Sequence, residues 1–235
     1  MRQLQFGKVS SSPARIIQHG YVFMRSQPQS VFPAEQPRLI LASSSPYRRA
    51  LLSRLGLAFE TAPPELDELP YPDEAAEDTA LRLAQQKALA VARDHPNAIV
   101  IGSDQVATLD GRHIGKPGSH ANAMAQLQMM RGRTVLFHTA LCLHDGRIGA
   151  RPTAQVTNVC TAVTFRNLPD TALDAYLRIE RPYDCAGSAK NEGLGIALIA
   201  SCESNDPTAL TGLPLIALCD MLYRAGITFF VSAPA

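Results

Sequence analysis

The stretch LILASSSPYRRALLSRLG, residues 39–56, constrains the fold more than any other part of this chain. Its first four residues are apolar and predict a short, fully buried strand. After three serines the chain resumes with the apolar spacing of an amphipathic helix. Ser45 is the expected N-cap of this helix, Pro46 its first residue and Gly56 its end. A buried strand that leads directly into a helix is typical of α/β proteins.

The rest of the chain predicts strands and helices that mix without strict alternation. A long apolar strand within residues 97–111 is expected to break at Gly102 and then to resume, and two later strands are expected to form a hairpin at the Asp145-Gly146 turn. Asp170 is the expected N-cap of a late helix. Helices are predicted within residues 46–56, 73–95, 115–133, 168–182 and 211–226. These patterns predict an α/β fold with a mixed twisted sheet, flanking helices and two lobes around a cleft.

The first 37 residues differ in composition from the rest. They contain four basic residues and a single acidic one, Glu35, with scattered Ser, Gln and Pro. A targeting peptide shares this composition. We instead interpret residues 1–37 as a disordered N-terminal extension, with Met24 as a second candidate for the start of the chain. Residues 38–230 are predicted to form a single domain.

Composition excludes several classes of partner. Charged residues make up 18% of the chain and nearly cancel, which leaves a formal net charge of +1. General nucleic-acid binding needs a broad basic face, so this balance argues against a nucleic-acid partner. No apolar run reaches the roughly 18 residues of a membrane helix, so no membrane partner is expected. Five cysteines without a CxxC pair are typical of reduced thiols, so a cytoplasmic location is expected and a zinc site is not.

The serine-rich turn and the helix after it have the features of an anion-binding site. At such a turn, free backbone N–H groups and the positive end of the helix dipole point the same way. Arg48 and Arg49 add guanidinium groups that suit phosphate oxygens. The alternative is a solvated surface pair, which costs roughly a few tenths of a kcal/mol at the start of a helix.

Asp104 and two lysines lie where they could serve catalysis. Asp104 follows an apolar strand, where ligands bind in open α/β sheets, so it could hold a metal or activate a water; a turn-capping aspartate is the alternative. Lys87 shares a helical stripe with Ala84 and Val91, which turns it inward. It either extends along the core edge or points into a polar cleft. Lys116, in a tight loop, is a second candidate ammonium group or an ordinary exposed lysine.

Two acidic positions complete the candidate site. Glu68 belongs to a crowded acidic loop and could hold a metal beside phosphate groups, although such loops are usually only solvated. Glu192 lies in the glycine-rich segment 187–195, which permits close backbone approach to a ligand. Its carboxylate suits the N1–H and the amino group of guanine. Together these residues suit a metal-bound nucleoside triphosphate, although the GxxxxGK[ST], GxGxxG, GxSxG and HExxH motifs are absent.

These segments in combination resemble the Maf family of nucleoside triphosphate pyrophosphatases. Residues 39–56 are followed in order by GSDQVATLDG, GKPGSHANAMAQL and TGLPLIAL, and the similarity runs from Arg38 to Ala225. The resemblance implies an α/β fold related to the inosine triphosphatase fold, in a family that is often dimeric, so a homodimer is expected. It also implies that a nucleotide is cleaved between its α and β phosphates with a divalent cation, Mg²⁺ or Mn²⁺.

The resemblance further implies roles for single residues. Asp104 matches the family's proton acceptor, and Glu68 and Asp104 match positions that handle the metal. Whether Asp104 is the base, a metal ligand or both is left open by the sequence. The positions that match phosphate-binding residues of the family are Ser43, Arg48, Arg49, Lys87 and Lys116.

Three positions indicate which base is preferred. One branch of the family, similar to enzymes that act on dTTP and UTP, carries threonine after the catalytic aspartate, where this chain has Gln105. Together with Tyr47 and Glu192, this resembles the branch that removes 7-methyl-GTP from the nucleotide pool. Stacking of that cationic base on Tyr47 is worth roughly 0.5–2 kcal/mol. The alternatives are the same reaction on UTP, dTTP or other noncanonical nucleotides, and a nucleotide-binding regulator of cell division or septum formation.

Overall fold

The computed structural model describes residues 36–151 and 153–230. The predicted disorder of residues 1–37 therefore falls almost wholly outside the described residues. No helix within the described ranges is long and apolar enough to cross a membrane.

Seven strands and five helices make up the described part of the chain. The strands are β1 (Leu39–Ala42), β2 (Glu60–Thr61), β3 (Ile99–Leu109), β4 (Arg112–Ile114), β5 (Thr134–Asp145), β6 (Ala154–Phe165) and β7 (Ile199–Glu203). The helices are α1 (Pro46–Ser53), α2 (Ala76–Ala92), α3 (His120–Met130), α4 (Asp170–Glu180) and α5 (Leu215–Arg224). Short 3₁₀ turns occupy Ala186–Ser188, Leu194–Leu198 and Ala209–Thr211.

All seven strands form one mixed sheet. Its order is β2-β1-β3-β5-β6-β7, and β4 pairs with β3 outside this path. β1 is parallel to β2 and β3, whereas β3, β5, β6 and β7 pair antiparallel along the sheet. β5 and β6 form the hairpin that the sequence predicted. The predicted α/β class with a mixed sheet is confirmed.

One edge of β3 is left open in its middle. β1 pairs with the first part of β3, as far as Ala42 opposite Gly102. β4 pairs with the last part, from Ala107 to Leu109. Residues 103–106 lie between these two partners, at the point where β1 ends and the serine-rich turn leads into α1. Such a discontinuity beside the carboxyl end of a parallel strand is where α/β folds bind ligands, and here it positions the candidate site.

Gly102 does not interrupt β3, contrary to the prediction from its sequence. The strand runs without a break from Ile99 to Leu109. A Cβ at Gly102 would lie 2.2 Å from the Ala84 carbonyl oxygen and 2.9 Å from the Ala88 Cβ, both on α2. The glycine is therefore needed for close packing of α2 against the sheet. As a consequence, Asp104 lies within the strand and not beyond its carboxyl end.

Three apolar clusters give the molecule its two lobes, with two clusters in the first lobe and one in the second. In the first lobe, α1 and α5 pack on one face of the sheet through residues such as Leu52 and Leu218, while α2 covers the other face. In the second lobe, α3 and α4 pack on the far ends of β3, β5 and β6 through residues such as Leu127, Phe137 and Leu177. The open part of β3 lies between the two lobes.

The helix starts largely agree with their sequence signals. Ser45 caps α1, because its Oγ accepts the backbone N–H of Arg48 at 3.3 Å. Ser119 caps α3 in the same way. Asp170 is the first residue of α4 and not its N-cap, a position that Pro169 holds. The Asp170 carboxylate instead accepts hydrogen bonds from side chains of α3 and its end, so it is not free to cap α4.

Candidate active site

Lys87 lies at the centre of a charged cluster. Its Nζ lies 2.6 Å from Oδ1 of Asp104 on β3 and 2.9 Å from Oε1 of Glu68 in the loop before α2. The Lys87 and Asp104 side chains are 6% and 8% exposed, whereas the Glu68 side chain is 52% exposed. A buried ammonium group needs an opposite charge in contact with it. The structure thus brings together three of the predicted site residues.

The packing of α2 explains why Lys87 reaches Asp104. Ala84, Lys87 and Val91 are all buried on the inward face of α2, as the helical spacing predicts. Alternate strand residues share a face of the sheet, so Asp104 points to the same side of β3 as Gly102. Since α2 approaches the sheet most closely at Gly102, Lys87 meets the carboxylate directly beside that contact.

Arg48, at the start of α1, adds a second cation to this cluster. Its Nε donates to the Gly212 carbonyl at 2.8 Å, and its Nη1 lies 3.5 Å from the Ser43 hydroxyl. Burial lowers the pKa of the Arg48 guanidinium, and the Asp104 and Glu68 carboxylates act in the opposite direction. Both carboxylates are therefore near enough to act on Arg48. We call the following set the phosphate end: Ser43, Arg48, Glu68, Lys87 and Asp104.

Arg49 and Lys116 lie outside this cluster. Both are exposed, and neither side chain makes a hydrogen bond or ion pair with a described residue. Arg49 is on the first turn of α1, beside Arg48. Lys116 follows β4, whose last residue, Ile114, pairs with Ala107 of β3. It thus belongs to the loop on the other side of the open part of β3, where exposed cations remain available to a ligand.

Tyr47, on the first turn of α1 beside Arg48, belongs to a second group of residues with Lys190 and Glu192. Tyr47 is half-buried, and burial raises its pKa, with smaller effects from charges that include Lys190 and Glu192. The Lys190 Nζ lies 5.9 Å from the centroid of the Tyr47 ring and 3.1 Å from Oε1 of Glu180. Desolvation by the surrounding loop raises the pKa of Glu192, which lies in the same segment. We call Tyr47, Lys190 and Glu192 the base end.

Gln105 belongs to neither end. It follows Asp104 and therefore points to the opposite face of the sheet. Its Nε2 donates to Oγ1 of Thr139 at 2.9 Å, to the Leu210 carbonyl at 3.0 Å and to the Ala209 carbonyl at 3.1 Å. These bonds hold the 3₁₀ turn that precedes Gly212, the residue whose carbonyl binds Arg48. That Gln105 affects the choice of base stays a prediction.

Two residues near the phosphate end were missed from the sequence. Arg82 of α2 binds the Glu74 carboxylate through Nε at 2.6 Å and Nη2 at 2.7 Å. Glu74 lies just before the helix, and the two side chains are only 17% and 12% exposed. An arginine five residues before Lys87 is an ordinary helix residue by its pattern. Arg82 gains its partner because the acidic loop folds back over α2. No pattern in the neighbouring sequence predicts this contact.

A protein-family model described as Maf-like protein matches residues 38–225. The chain belongs to the Maf family. Over 196 residues it is 61% identical to a 7-methyl-GTP pyrophosphatase of Cupriavidus pinatubonensis, which covers 83% of this chain and 97% of that protein. It is 65% identical over 195 residues to a 7-methyl-GTP pyrophosphatase of Ralstonia nicotianae, with 83% of this chain and 99% of that protein covered.

The match to the Maf family model confirms the resemblance that the motifs indicated, with nearly the same bounds. Among solved structures, a nucleoside-triphosphatase / dITP/XTP pyrophosphatase from Mycobacterium abscessus is 19% identical, with a TM-score of 0.38. That match covers 80% of this chain and 94% of the other one.

The Maf domain offers two carboxylates to a divalent cation. Glu68 and Asp104 contact the same Lys87 ammonium group, so their oxygens lie close to each other. Within residues 36–151 and 153–230, no group of three or more His, Cys, Asp and Glu side chains could hold a metal ion. A pair of carboxylates is nevertheless a donor set that suits Mg²⁺, which usually keeps several waters and takes further oxygens from substrate phosphates. These residues therefore fit a cation that arrives with a nucleotide.

Proposed function

We propose that this protein hydrolyses 7-methyl-GTP to 7-methyl-GMP and diphosphate. The observation that carries this proposal is the buried Lys87–Asp104 pair, with Glu68 in contact, beside the helix start that presents Arg48. The relatives named 7-methyl-GTP pyrophosphatase, at 61% and 65% identity, support the choice of substrate. A homodimer in the cytoplasm stays part of the proposal.

The cations of the site neutralise the triphosphate. The free N–H groups at the start of α1 and the positive end of its dipole attract phosphate oxygens. Arg48 offers a guanidinium group that its contacts with Gly212 and Ser43 already orient, so little order is lost on binding. Arg49 and Lys116 are both exposed and lie on the two sides of the open part of β3, where they bind the outer phosphates.

Glu68 and Asp104 would hold the divalent cation, Mg²⁺ or Mn²⁺. When bound, the cation supplies charge neutralisation at the phosphate oxygens as negative charge develops. The exposure of Glu68 matters here, because a carboxylate that is 52% exposed can change its partner as the nucleotide enters. Lys87 then remains with Asp104 and fixes the orientation of that carboxylate.

Asp104 is the proton acceptor in the hydrolysis. Its Oδ1 is occupied by Lys87, so its second oxygen accepts the proton from water. The water oxygen forms a new bond to the α phosphorus as the bond from that phosphorus to the bridging α–β oxygen breaks. The leaving diphosphate keeps the electron pair. Lys87, Arg48 and Lys116 stabilise the charge that develops on the phosphates.

The base end suits a positively charged base. Methylation at N7 makes guanine cationic, and a cation over the face of Tyr47 gains roughly 0.5–2 kcal/mol. The Lys190 ammonium lies over that ring and also contacts Glu180. When the base stacks on Tyr47 in place of the ammonium group, Glu180 keeps Lys190 bound. Glu192 accepts hydrogen bonds from the guanine edge and favours the positive ring.

The experiment that tests this proposal measures diphosphate release from 7-methyl-GTP, GTP, UTP, dTTP and CTP, with Mg²⁺ or Mn²⁺. Wild type is compared with Asp104→Asn and with the control Asp94→Asn, an exposed aspartate beyond α2. We expect wild type to release diphosphate rapidly from 7-methyl-GTP. Asp104→Asn should reduce this rate by about 10²–10⁴-fold without loss of nucleotide binding. The control should release diphosphate at the wild-type rate.

The other outcomes of this assay are equally informative. Release from UTP or dTTP alone would keep the reaction and overturn our account of Tyr47 and Glu192. Binding of nucleotides without release from any of them would favour a regulator that binds nucleotides. A near-normal kcat for Asp104→Asn would remove this carboxylate from the chemistry.

A further inference from the structure

The guanidinium group of Arg82 is bound by residues of the acidic loop and of α2. Besides the two bonds to Glu74, its Nη2 donates to the Leu69 carbonyl at 3.2 Å and its Nη1 to Oε1 of Gln86 at 3.2 Å. Its Cζ lies 4.0 Å from the centroid of the Tyr71 ring. Four of the five N–H groups of this arginine and one of its faces are thus occupied by the protein itself. Arg82 therefore acts on the protein itself.

These contacts converge on the segment that carries Glu68. Residues 67–73 are all exposed and belong to no helix or strand, so the sheet does not fix their path. Leu69 and Tyr71, one and three residues after Glu68, both contact Arg82. Glu74 ends the segment and is held by Arg82 and by the Thr79 hydroxyl, which donates to its Oε2 at 2.8 Å. Apart from the bond between Glu68 and Lys87, Arg82 is the main anchor of this loop.

We propose that Arg82, clamped by Glu74, is a positioning residue that holds the acidic loop so that Glu68 reaches Lys87 and Asp104. This inference rests on the proposed function, in which Glu68 receives a divalent cation. Arg82 and Lys87 lie on the same helix, so α2 fixes both the buried lysine and the loop that brings its second carboxylate. In this role Arg82 acts through Glu68, the residue to which the proposed function assigns the metal.

The Glu74–Arg82 pair is suited to this role. Bidentate binding orients both planar groups, which a single ion pair does not. The Arg82 guanidinium, with the Tyr71 amide and the Thr79 hydroxyl, lowers the pKa of Glu74 to about 2. The carboxylate therefore stays charged at any pH at which the enzyme would work, and the clamp remains closed.

The test compares Arg82→Gln and Arg82→Lys with the control Arg93→Gln, an exposed arginine just after α2. Turnover of 7-methyl-GTP is measured against Mn²⁺ concentration. Replacing residues that orient a metal ligand costs about 10–100-fold in metal affinity. We expect Arg82→Gln to raise the half-saturating Mn²⁺ concentration in that range while KM for the nucleotide changes little. Arg82→Lys keeps the charge but not the bidentate fork, so it should recover only part of the loss.

A second variant separates positioning from a general loss of structure. If Arg82 acts through Glu68, then Arg82→Gln should add little to the effect of Glu68→Gln in the double variant. Full additivity of the two single effects on Mn²⁺ dependence would overturn the proposal. Equal Mn²⁺ dependence of Arg82→Gln and wild type would overturn it as well.

Hydrogen exchange tests the clamp independently of catalysis. In the protein without metal and nucleotide, Arg82→Gln should speed exchange of the Leu69 and Tyr71 amides, which donate to Asp67 and Glu74, while the amides of β3 keep their protection. If exchange is unchanged, the clamp does not hold the loop, whatever the activity. If exchange rises but wild type releases diphosphate from no nucleotide, the clamp stands and the proposed function fails.

Discussion

The phosphate end and the base end differ in how they are built, although α1 contributes a residue to both. Lys87 and Asp104 of the phosphate end lie on a long helix and a central strand, and they are almost fully buried. At the base end, Lys190 and Glu192 lie in a segment of short 3₁₀ turns, and the Lys190 side chain is 31% exposed. The buried network can keep its geometry before a nucleotide arrives. The segment around Lys190 and Glu192 is only partly buried, so its outward side chains can change at less cost to the fold, which suits the part of a site that selects among bases.

Replacing Lys87 at the phosphate end and Lys190 at the base end should give the largest difference in the free energy of unfolding. Lys87→Met leaves the buried Asp104 carboxylate without its cation, which costs about 3–5 kcal/mol of stability. Lys190→Met removes a partly exposed ion pair with Glu180, which is worth about 0–1 kcal/mol. Urea unfolding of the two variants measures both values. Equal costs would mean that the two ends are held with similar strength, contrary to the comparison.

The parts of the fold that depend on neighbouring residues were predictable from the sequence, and the parts that depend on distant contacts were not. The start of α1, its cap at Ser45 and the hairpin of β5 and β6 depend on residues adjacent in sequence, and each was predicted. Gly102 was misread, because a glycine in a strand looks like a break when the helix that packs on it is not known. The cap at Asp170 was misread for a similar reason, since its carboxylate binds side chains of α3 and its end.

The candidate site shows the same limit. Lys87 was predicted to face inward because a helical stripe is a local pattern. The family motifs assigned Lys87, Glu68 and Asp104 to one site, but the direct contact of Lys87 with both carboxylates was not predicted. The clamp at Arg82 was not predictable, since it depends on an exposed loop that folds back over its own helix. Gln105 also donates a hydrogen bond to the Ala209 carbonyl, about a hundred positions along the chain. No pattern in either segment predicts this bond.

Two glycines allow a second comparison. A Cβ on Gly102 would lie 2.2 Å from the Ala84 carbonyl, and one on Gly195 would lie 2.5 Å from the Lys190 carbonyl. Gly102→Ala must push α2 from the sheet, so it should lower the free energy of unfolding by about 1–3 kcal/mol or more. Gly195 is buried as well, and its Cβ would meet only backbone atoms of Lys190, so Gly195→Ala must displace the segment around Lys190.

Thermal unfolding and nucleotide kinetics distinguish these outcomes. We expect Gly102→Ala to lower Tm more than Gly195→Ala, because the first displaces a helix from the central sheet and the second displaces only the segment around Lys190, where it should also alter KM among nucleotides. Gly115→Ala is the control for the effect of a glycine replacement on Tm, because a Cβ there has no neighbour within 4 Å and its φ is not in the left-handed region. A large loss of Tm in Gly195→Ala would show that the base end is as rigid as the packed sheet.

Glu192→Gln changes only a charge and should affect only selectivity. The amide keeps the size of the side chain but loses the negative charge that favours a cationic base. We expect the ratio of kcat/KM for 7-methyl-GTP over GTP to fall roughly tenfold, which corresponds to about 1.4 kcal/mol. The kcat with 7-methyl-GTP should stay within about threefold of wild type. Glu203→Gln, an exposed change at the far edge of the sheet, is the control.

The pH dependence of this ratio gives the smallest and most specific effect. Because desolvation raises the pKa of Glu192, this carboxylate takes up its proton at a higher pH than an ordinary glutamate as the solution is acidified. The negative charge is present above the raised pKa and is lost below it, so the preference for 7-methyl-GTP over GTP should fall as the pH is lowered through that value. In Glu192→Gln the ratio should not change over the same interval. If the same fall persists in the variant, another group titrates, and the base end does not select its substrate through the charge of Glu192.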